Sequence, residues 1–451
     1  MQRVLYSLEV MSWLAIIFMN DVITDPEDVK IVLSTCLEKH YVYKFACPYV
    51  GQGLVTASVP TWKLHHKMLL PSFNQNVLNG FVDVFNRQSS VMVEAMAKEL
   101  GKEQFDAYSY IGAGTLEIIC QTAMGIQMNQ QNIASPPYLE AVHKIMNVLT
   151  QRFTKIWLHP QFMYNLLGYK KVEDDALRVL HHVSDTVVQK KRSELLAKEK
   201  NDEKAPEIKT ERPFRAFLDL MLELAINEGI FTDQEIKEEV NTIIAAGQET
   251  TSYTVLYTLL LLVAHQEQQQ KVYNEIRRIF GNSDRDVSKE DMAALVYLEA
   301  TLNEAMRLYP LATLVLELSV GSLSRVYSGQ SREAEPFRRA LEHYTLPAGS
   351  GCGVLAWGLH RHERWGSDYD SFRPERWLDK TTLPSDPAAF VAFGHGRRGC
   401  VGKNYALMSM KTMMVHVLRK YRVFSDITDL KMKFDILLKP ISGHLLKIER
   451  R

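Results

Sequence analysis

The sequence predicts a mainly α-helical protein with a small β-rich region. Most of the first three hundred of its 451 residues repeat apolar side chains at helical spacing, broken by polar turns such as Gln127 to Asn132. One pattern, from Thr232 to about Ala264, is long enough for a helix of roughly 50 Å at 1.5 Å per residue, crossing the whole molecule. Strand signals are confined to Ile16 to Ile31, Tyr344 to Trp357 and Phe434 to Ile448, the last with Ser442-Gly443 at a hairpin tip.

Composition excludes several function classes. With 46% apolar and 24% charged residues the chain can bury a large core, which rules out a disordered protein. Its 53 basic and 53 acidic residues cancel, so no global field draws it to nucleic acid. Length alone allows three domains or one, and no internal repeat is present. The five cysteines are scattered without a C-x-x-C pair, which fits neither a disulfide scaffold nor a zinc ribbon and favours a reducing compartment.

Taken in order, the N-terminal apolar run Trp13 to Met19 is cut short by Asn20 and Asp21 and reads as a buried strand. Glu199 to Pro213 is Lys, Glu and Asp with two prolines, and reads as a solvated loop between helices. Thr232 and Glu235 have the spacing of a capping box and start the long helix. In its middle, Ala245 to Thr251 places Gly247, Glu249 and two threonines in one stretch. Gly247 is read either as a helix-packing glycine or as a widened turn whose freed carbonyl and hydroxyl face a ligand. The longest apolar run, Val255 to Ala264, is too short to span a bilayer, so no transmembrane segment or signal peptide is expected.

The main chemical signal is Phe393-Gly394-His395-Gly396-Arg397-Arg398-Gly399-Cys400-Val401-Gly402. Its glycines let the backbone turn tightly and approach a flat group closely. Leu407, Met410, Met413, Met414, Val417 and Leu418 follow at helical spacing, so Cys400 stands just before a helix N-terminus. That position favours the thiolate, the metal-binding form. Cys36, Cys47, Cys120 and Cys352 read as small core hydrophobes.

This F-G-x-G-x-R-x-C-x-G string resembles the axial-ligand loop of the haem-thiolate monooxygenases, the cytochrome P-450 family. Other segments agree in order. Glu304 and Arg307 form an E-x-x-R pair, and Arg376 in Phe372-Arg373-Pro374-Glu375-Arg376-Trp377 resembles the third member of the family's structural Glu-Arg-Arg network. With the Trp62 segment, the resemblance covers nearly the whole chain. Ile23-Thr24-Asp25-Pro26 is similar to the first-strand region of microsomal, insect-type members of the family-four clan.

The resemblance implies one 1–451 haem-thiolate domain of the P-450 fold, with a long central helix over haem b and Cys400 as proximal iron ligand. Ala246 and Gly247 would leave room for dioxygen, and Glu249 and Thr250 would form the acid-alcohol pair that relays protons through ordered water. Arg398 matches the propionate-binding arginine, Trp62 the tryptophan of the helix beneath the haem, and Phe393 and Gly402 of the ligand loop are further cofactor-binding positions. Ala246 stands where some relatives carry a glutamate that ester-links the haem, so the haem is expected to be held noncovalently.

Three departures accompany the match. His66 occupies the arginine position of W-x-x-x-R. Glu317 stands where a strand normally supplies a propionate-binding base, and a buried acid there would repel a propionate. Residues 318–343 form an atypical polar insert, read as a surface loop or a replaced sequence, before the match resumes at Tyr344.

The function implied is insertion of one oxygen atom from dioxygen into an apolar small molecule, a lipid, terpenoid or xenobiotic. Electrons would come from NADPH through a flavoprotein reductase, with a cytochrome b-type protein as a further donor. Lys63, Lys67, Arg397, Lys403 and Lys411 are the candidate basic docking patch. Because the match begins near the family's first strand, an N-terminal anchor is expected to be missing, and the full-length form to sit on the cytoplasmic face of the endoplasmic reticulum membrane. Two alternatives remain: an isomerase or dehydratase of the same fold that needs no reductase, against which the Glu249-Thr250 pair argues, and a catalytically impaired haem-binding protein.

Overall fold

The computed structural model describes residues 21–127, 136–202, 216–318, 339–340, 345–346, 349–425, 430–441 and 443–451. Mainly helical with small sheets, it has the fold class read from the sequence. The principal helices are α1 (Pro26–Thr35), α2 (Val59–Leu69), α3 (Val82–Met96), α4 (Ala107–Ala123), α5 (Pro136–Thr154), α6 (Tyr169–Asp202), α7 (Phe217–Glu228), α8 (Asp233–Ala264), α9 (Gln266–Phe280), α10 (Val296–Leu308) and α11 (Lys403–Lys420).

The strands are β1 (Asp21–Ile23), β2 (Glu38–Lys39), β3 (Phe105–Asp106), β4 (Leu314–Leu318), β5 (Arg339–Ala340), β6 (Thr345–Leu346), β7 (Gly351–Leu355), β8 (Tyr421–Phe424), β9 (Met432–Phe434), β10 (Leu438–Pro440) and β11 (Leu445–Arg450). They form a four-stranded sheet ordered β1-β7-β4-β2, a three-stranded sheet ordered β3-β11-β8, and the pairs β9-β10 and β5-β6.

The chain divides into two compact units. The first draws on Met1–Tyr43, Ala300–Cys400 and Thr428–Gly443. Its core lies between α1 and the four-stranded sheet, where Val29, Val32, Leu33 and Cys36 meet Cys352, Val354 and Leu359. β1 runs parallel to β7, whereas β4 is antiparallel to both β7 and β2. The second unit draws on Lys44–Glu299, Val401–Ile427 and His444–Arg451. There α8 packs against α4, α6 and α11, and α3 packs against α4 and α11. From Val255 to Val263 every residue of α8 is buried, which makes this segment the apolar axis of the unit.

Local signals explain the element boundaries. Asp25 accepts hydrogen bonds from the backbone N–H groups of Glu27 and Asp28, and Pro26 sits in the first turn, so of the strand expected over Ile16 to Ile31 the described part is strand only at Asp21–Ile23 and helix from Pro26. Thr232 and Glu235 form the reciprocal capping box of α8. Of the stretch Tyr344 to Trp357, the described residues form β6 and β7, with helix from Ala356, while 344, 347 and 348 lie outside them.

Other expectations are corrected. Glu199 to Asp202 belong to α6, because charged, straight-chain side chains extend a helix readily; the rest of that predicted loop, 203–213, lies outside the described residues. Phe434 to Ile448 is not one hairpin, since β10 folds back on β9 while β11 pairs with β3 and β8. Ser442 of the expected tip, the Trp13 to Met19 run, residues 128–132 of the polar turn and 319–338 and 341–343 of the insert also lie outside the described residues. Near the insert's end, β5 pairs with β6. Among the described residues no helix is long and apolar enough to cross a membrane.

Candidate functional site

In the first unit the glycines of the Cys400 loop make a compact turn. Gly394 and Gly396 have φ of 71° and 68°, conformations that residues with a Cβ rarely adopt. A Cβ at Gly396 would lie 2.4 Å from the Leu33 carbonyl oxygen at the end of α1, so this glycine also permits direct backbone contact. The Cys400 N–H donates to the Phe393 carbonyl at 2.8 Å, and the Gly399 N–H donates to the Gly396 carbonyl at 3.2 Å. Cys400 is exposed, whereas Cys36, Cys120 and Cys352 are buried and Cys47 is half-buried.

Arg398, half-buried, donates from Nε to the Leu37 carbonyl at 3.1 Å, which ties the Cys400 loop to the start of β2. On β2, Lys39 lies directly opposite Glu317 of β4, and the two form an ion pair. Burial pushes the Glu317 carboxyl above its ordinary range, and the charges of Lys39 and Arg398 oppose that shift.

Glu304 is the hub of a buried network in the same unit. Arg307 donates to both its oxygens at 2.8 Å, Arg376 Nε to Oε1 at 3.0 Å, the Arg373 N–H to Oε1 at 3.0 Å and Trp377 Nε1 to Oε2 at 2.9 Å. All three charged side chains of the Glu-Arg-Arg set are fully buried. Burial alone would raise the Glu304 carboxyl, but the hydrogen bonds and charge of Arg307, with Arg376, hold it below its usual range. His360 adds a tie that sequence reading missed. It accepts from the Val391 N–H at 2.9 Å, and its carbonyl accepts from Arg307 at 2.8 Å. Burial pushes its imidazole down to about 3, so it is neutral.

In the second unit α8 runs through Ala246, Gly247, Glu249 and Thr250 as continuous α-helix, so the widened turn is absent. A Cβ at Gly247 would lie 2.7 Å from Ile119 Cδ1 of α4, which supports the helix-packing reading of this glycine. Thr250 donates its hydroxyl to the Ala246 carbonyl at 2.6 Å. Glu249 is completely buried and accepts a 2.8 Å hydrogen bond from the Tyr108 hydroxyl of α4. Burial, followed by the Glu249 charge, raises the Tyr108 phenol well above its ordinary value, so it remains a donor. The Tyr108 ring stacks on Tyr253 at 4.9 Å and approaches His143 and His444, each at 5.1 Å.

On α2, Trp62 is buried and its ring lies 5.1 Å from that of His66. The neighbouring His65, not singled out from sequence, is buried with Nδ1 2.7 Å from Glu239 and Nε2 3.6 Å from Glu235. Burial lowers its basicity, but the Glu239 hydrogen bond and the two acidic charges raise it overall. Gly402 is the N-cap of α11. Lys63, Lys67 and Lys403 are exposed in this unit, and Arg397 is exposed in the first. Lys411 is corrected: it is buried and spends its ammonium on the Met292 carbonyl and Glu299, so it is no part of a surface patch.

A family model described as cytochrome P450 matches residues 18–448. The chain belongs to the cytochrome P450 family. It is similar to cytochrome P450 4c3 of Drosophila melanogaster, 29% identical over 439 residues that cover 95% of this chain and 79% of that protein. To cytochrome P450 4V2 of Homo sapiens it is 31% identical over 434 residues, covering 94% of this chain and 79% of the relative. Cytochrome P450 4g15 of Drosophila melanogaster is 30% identical over 494 residues, covering 95% and 83%. As a P450 the protein is a haem-dependent monooxygenase, and P450s bind haem iron through a cysteine thiolate.

The chemistry of the donor set suits that cofactor. A thiol is exposed at the end of a glycine-turned loop, with Arg398 two residues before it on that loop. Of the predicted residues, Phe393, Arg398 and Cys400 share that loop, Glu304, Arg307 and Arg376 share one network, Ala246, Gly247, Glu249 and Thr250 share α8, and Trp62 and His66 share α2. Tyr108, His65 and Lys39 were invisible to motif reading because each meets its acidic partner across 141 to 278 residues.

Proposed function

We propose that this P450 inserts one atom of dioxygen into an apolar lipid, terpenoid or xenobiotic, with electrons passed from NADPH by a flavoprotein reductase. The observation that carries the reading is Cys400, the exposed cysteine at the end of a loop whose backbone is set by Gly394 and Gly396. Cys400 would hold the haem iron, and Arg398, Trp62 and His66 would serve the propionates. Bound haem supplies the activation of dioxygen.

The protein's own residues would do the rest. Thr250, partly exposed on α8, would present its hydroxyl to an ordered water, and Glu249 would supply the proton behind it. Ala246 and Gly247 keep the face of that turn small. Glu304, Arg307 and Arg376 would hold the segment that leads to the ligand loop rather than touch substrate.

Exposed Lys63, Lys67 and Lys403 are candidate contacts for an acidic reductase surface. Membrane association at the endoplasmic reticulum is supported by an apolar surface in the second unit: Ile156, Trp157, Phe162, Leu166 and Leu167 are all exposed, Leu166 to 74%. The deciding experiment is the spectrum of reduced protein with carbon monoxide. A Soret band near about 450 nm supports cysteine thiolate ligation, whereas a band near about 420 nm in the native protein would remove it. NADPH consumption with purified reductase and an apolar panel then tests the reaction class.

A further inference from the structure

Glu317 poses an electrostatic problem that the structure itself answers. Its carboxylate is 1% exposed on β4, on a strand paired with β2, whose preceding residue Leu37 anchors Arg398 of the ligand loop. A buried acid near a cofactor with two carboxylates would weaken cofactor binding unless a cation stood beside it. That cation is Lys39. It lies opposite Glu317 in the β2-β4 register, is 13% exposed at its side chain, and sits 5.2 Å from the Tyr43 ring centroid. Among the described residues Glu317 is the only hydrogen-bond partner of the Lys39 ammonium. An ammonium has three donors, so capacity remains for a second anion. Glu317 Oε2 is buried and has no hydrogen-bond partner among the described residues, so within them the polar capacity of this corner is incomplete on both sides of the pair.

We propose that Lys39 is a haem-anchoring residue: held in place by Glu317 and beside Arg398, its ammonium donates to a haem propionate and supplies from β2 the positive charge that β4 lacks. Glu317 is then a positioning residue, fixing the flexible lysine where the propionate arrives. The assignment rests on the haem-thiolate reading above. It goes beyond that reading in naming which side chain offsets Glu317.

The test measures haem transfer from purified holoprotein to excess apomyoglobin, in the wild-type and Glu317→Gln backgrounds. Lys39→Gln, which keeps a donor for Glu317 without the charge, should accelerate haem loss about tenfold in both backgrounds, and Lys39→Arg should restore the slow rate. Glu317→Gln keeps an amide oxygen that holds the ammonium and removes only the charge, so acceleration that disappears in that background would make Lys39 a counter-ion only and overturn the proposal. An unchanged rate in both backgrounds, with only the urea midpoint altered, would reduce the pair to a strand clip and overturn it equally. The carbon monoxide band of the same wild-type preparation reports Cys400 ligation independently, so failure of the thiolate reading and failure of the Lys39 assignment give different results.

Discussion

The Tyr108 hydroxyl and the Glu249 carboxylate are joined by a 2.8 Å hydrogen bond that links α4 to α8 inside the second unit. The acid proposed for proton relay is therefore fixed from behind by a tyrosine whose own ring is stacked on Tyr253. Tyr108→Phe keeps the ring and removes the donor. It should lower stability by about 1.5–3 kcal/mol, the usual worth of a hydrogen bond to a charged group, read as a lower urea midpoint. Less product per NADPH should accompany it, because Glu249 loses its fixed orientation.

Thr250→Ala removes the hydroxyl that now caps the Ala246 carbonyl. Helix α8 should tolerate this, since alanine is the better helix former. NADPH oxidation should continue while hydrogen peroxide replaces product. Coupling equal to wild type, measured by peroxide and NADPH assays together, would show that the hydroxyl is not part of the relay.

Glu304→Gln should cost about 3–5 kcal/mol, because two buried guanidinium groups lose their counter-charge. The pH dependence has a definite sign. The folded-state carboxyl of Glu304 lies below its usual value, so its stabilisation is complete above the unfolded-state value and is lost as pH falls through the folded one. Wild-type protein should lose stability on acidification below about pH 4.5 more steeply than the variant, as followed by tryptophan fluorescence.

His65 has the opposite sign. Its folded-state value is raised by Glu239 and Glu235, so the pairing stabilises fully below about pH 6.5 and fades as pH rises through the folded value. His65→Gln should flatten the fall of the urea midpoint on the alkaline side of neutrality. A parallel fall in both proteins would assign the effect to another group.

Haem should leave the protein completely in acid acetone. Ala246 offers no carboxylate for an ester on the exposed face of α8. Pigment remaining with the precipitated polypeptide would contradict this.

Legibility in the sequence followed the range of each interaction. The Thr232–Glu235 capping box, the Asp25-Pro26 helix start and the Glu304–Arg307 spacing are local, and each can be read within a few residues. Lys411 was misjudged because its partners Glu299 and Met292 lie more than a hundred residues away, and a lysine without visible partners reads as solvated. Glu317 gave only the warning of a misplaced charge. Its answer in Lys39 required the β2-β4 register, which two short strands 278 residues apart do not advertise. The Cys400 loop was legible for a different reason: tight turning and close approach leave glycine little competition, so backbone geometry is written directly in residue type.

The contact between Gly396 and Leu33 sets a bound on how this centre can be re-engineered. With the Leu33 carbonyl 2.4 Å from where a Cβ would stand, position 396 has no chemical alphabet beyond hydrogen, and the separation of α1 from the loop is set by main chain alone. A library built on the Cys400 loop therefore has to hold position 396 at glycine, because the Gly396–Arg398 turn packs directly against α1. Diversity spent on 396 would return misfolded protein rather than tuned enzyme.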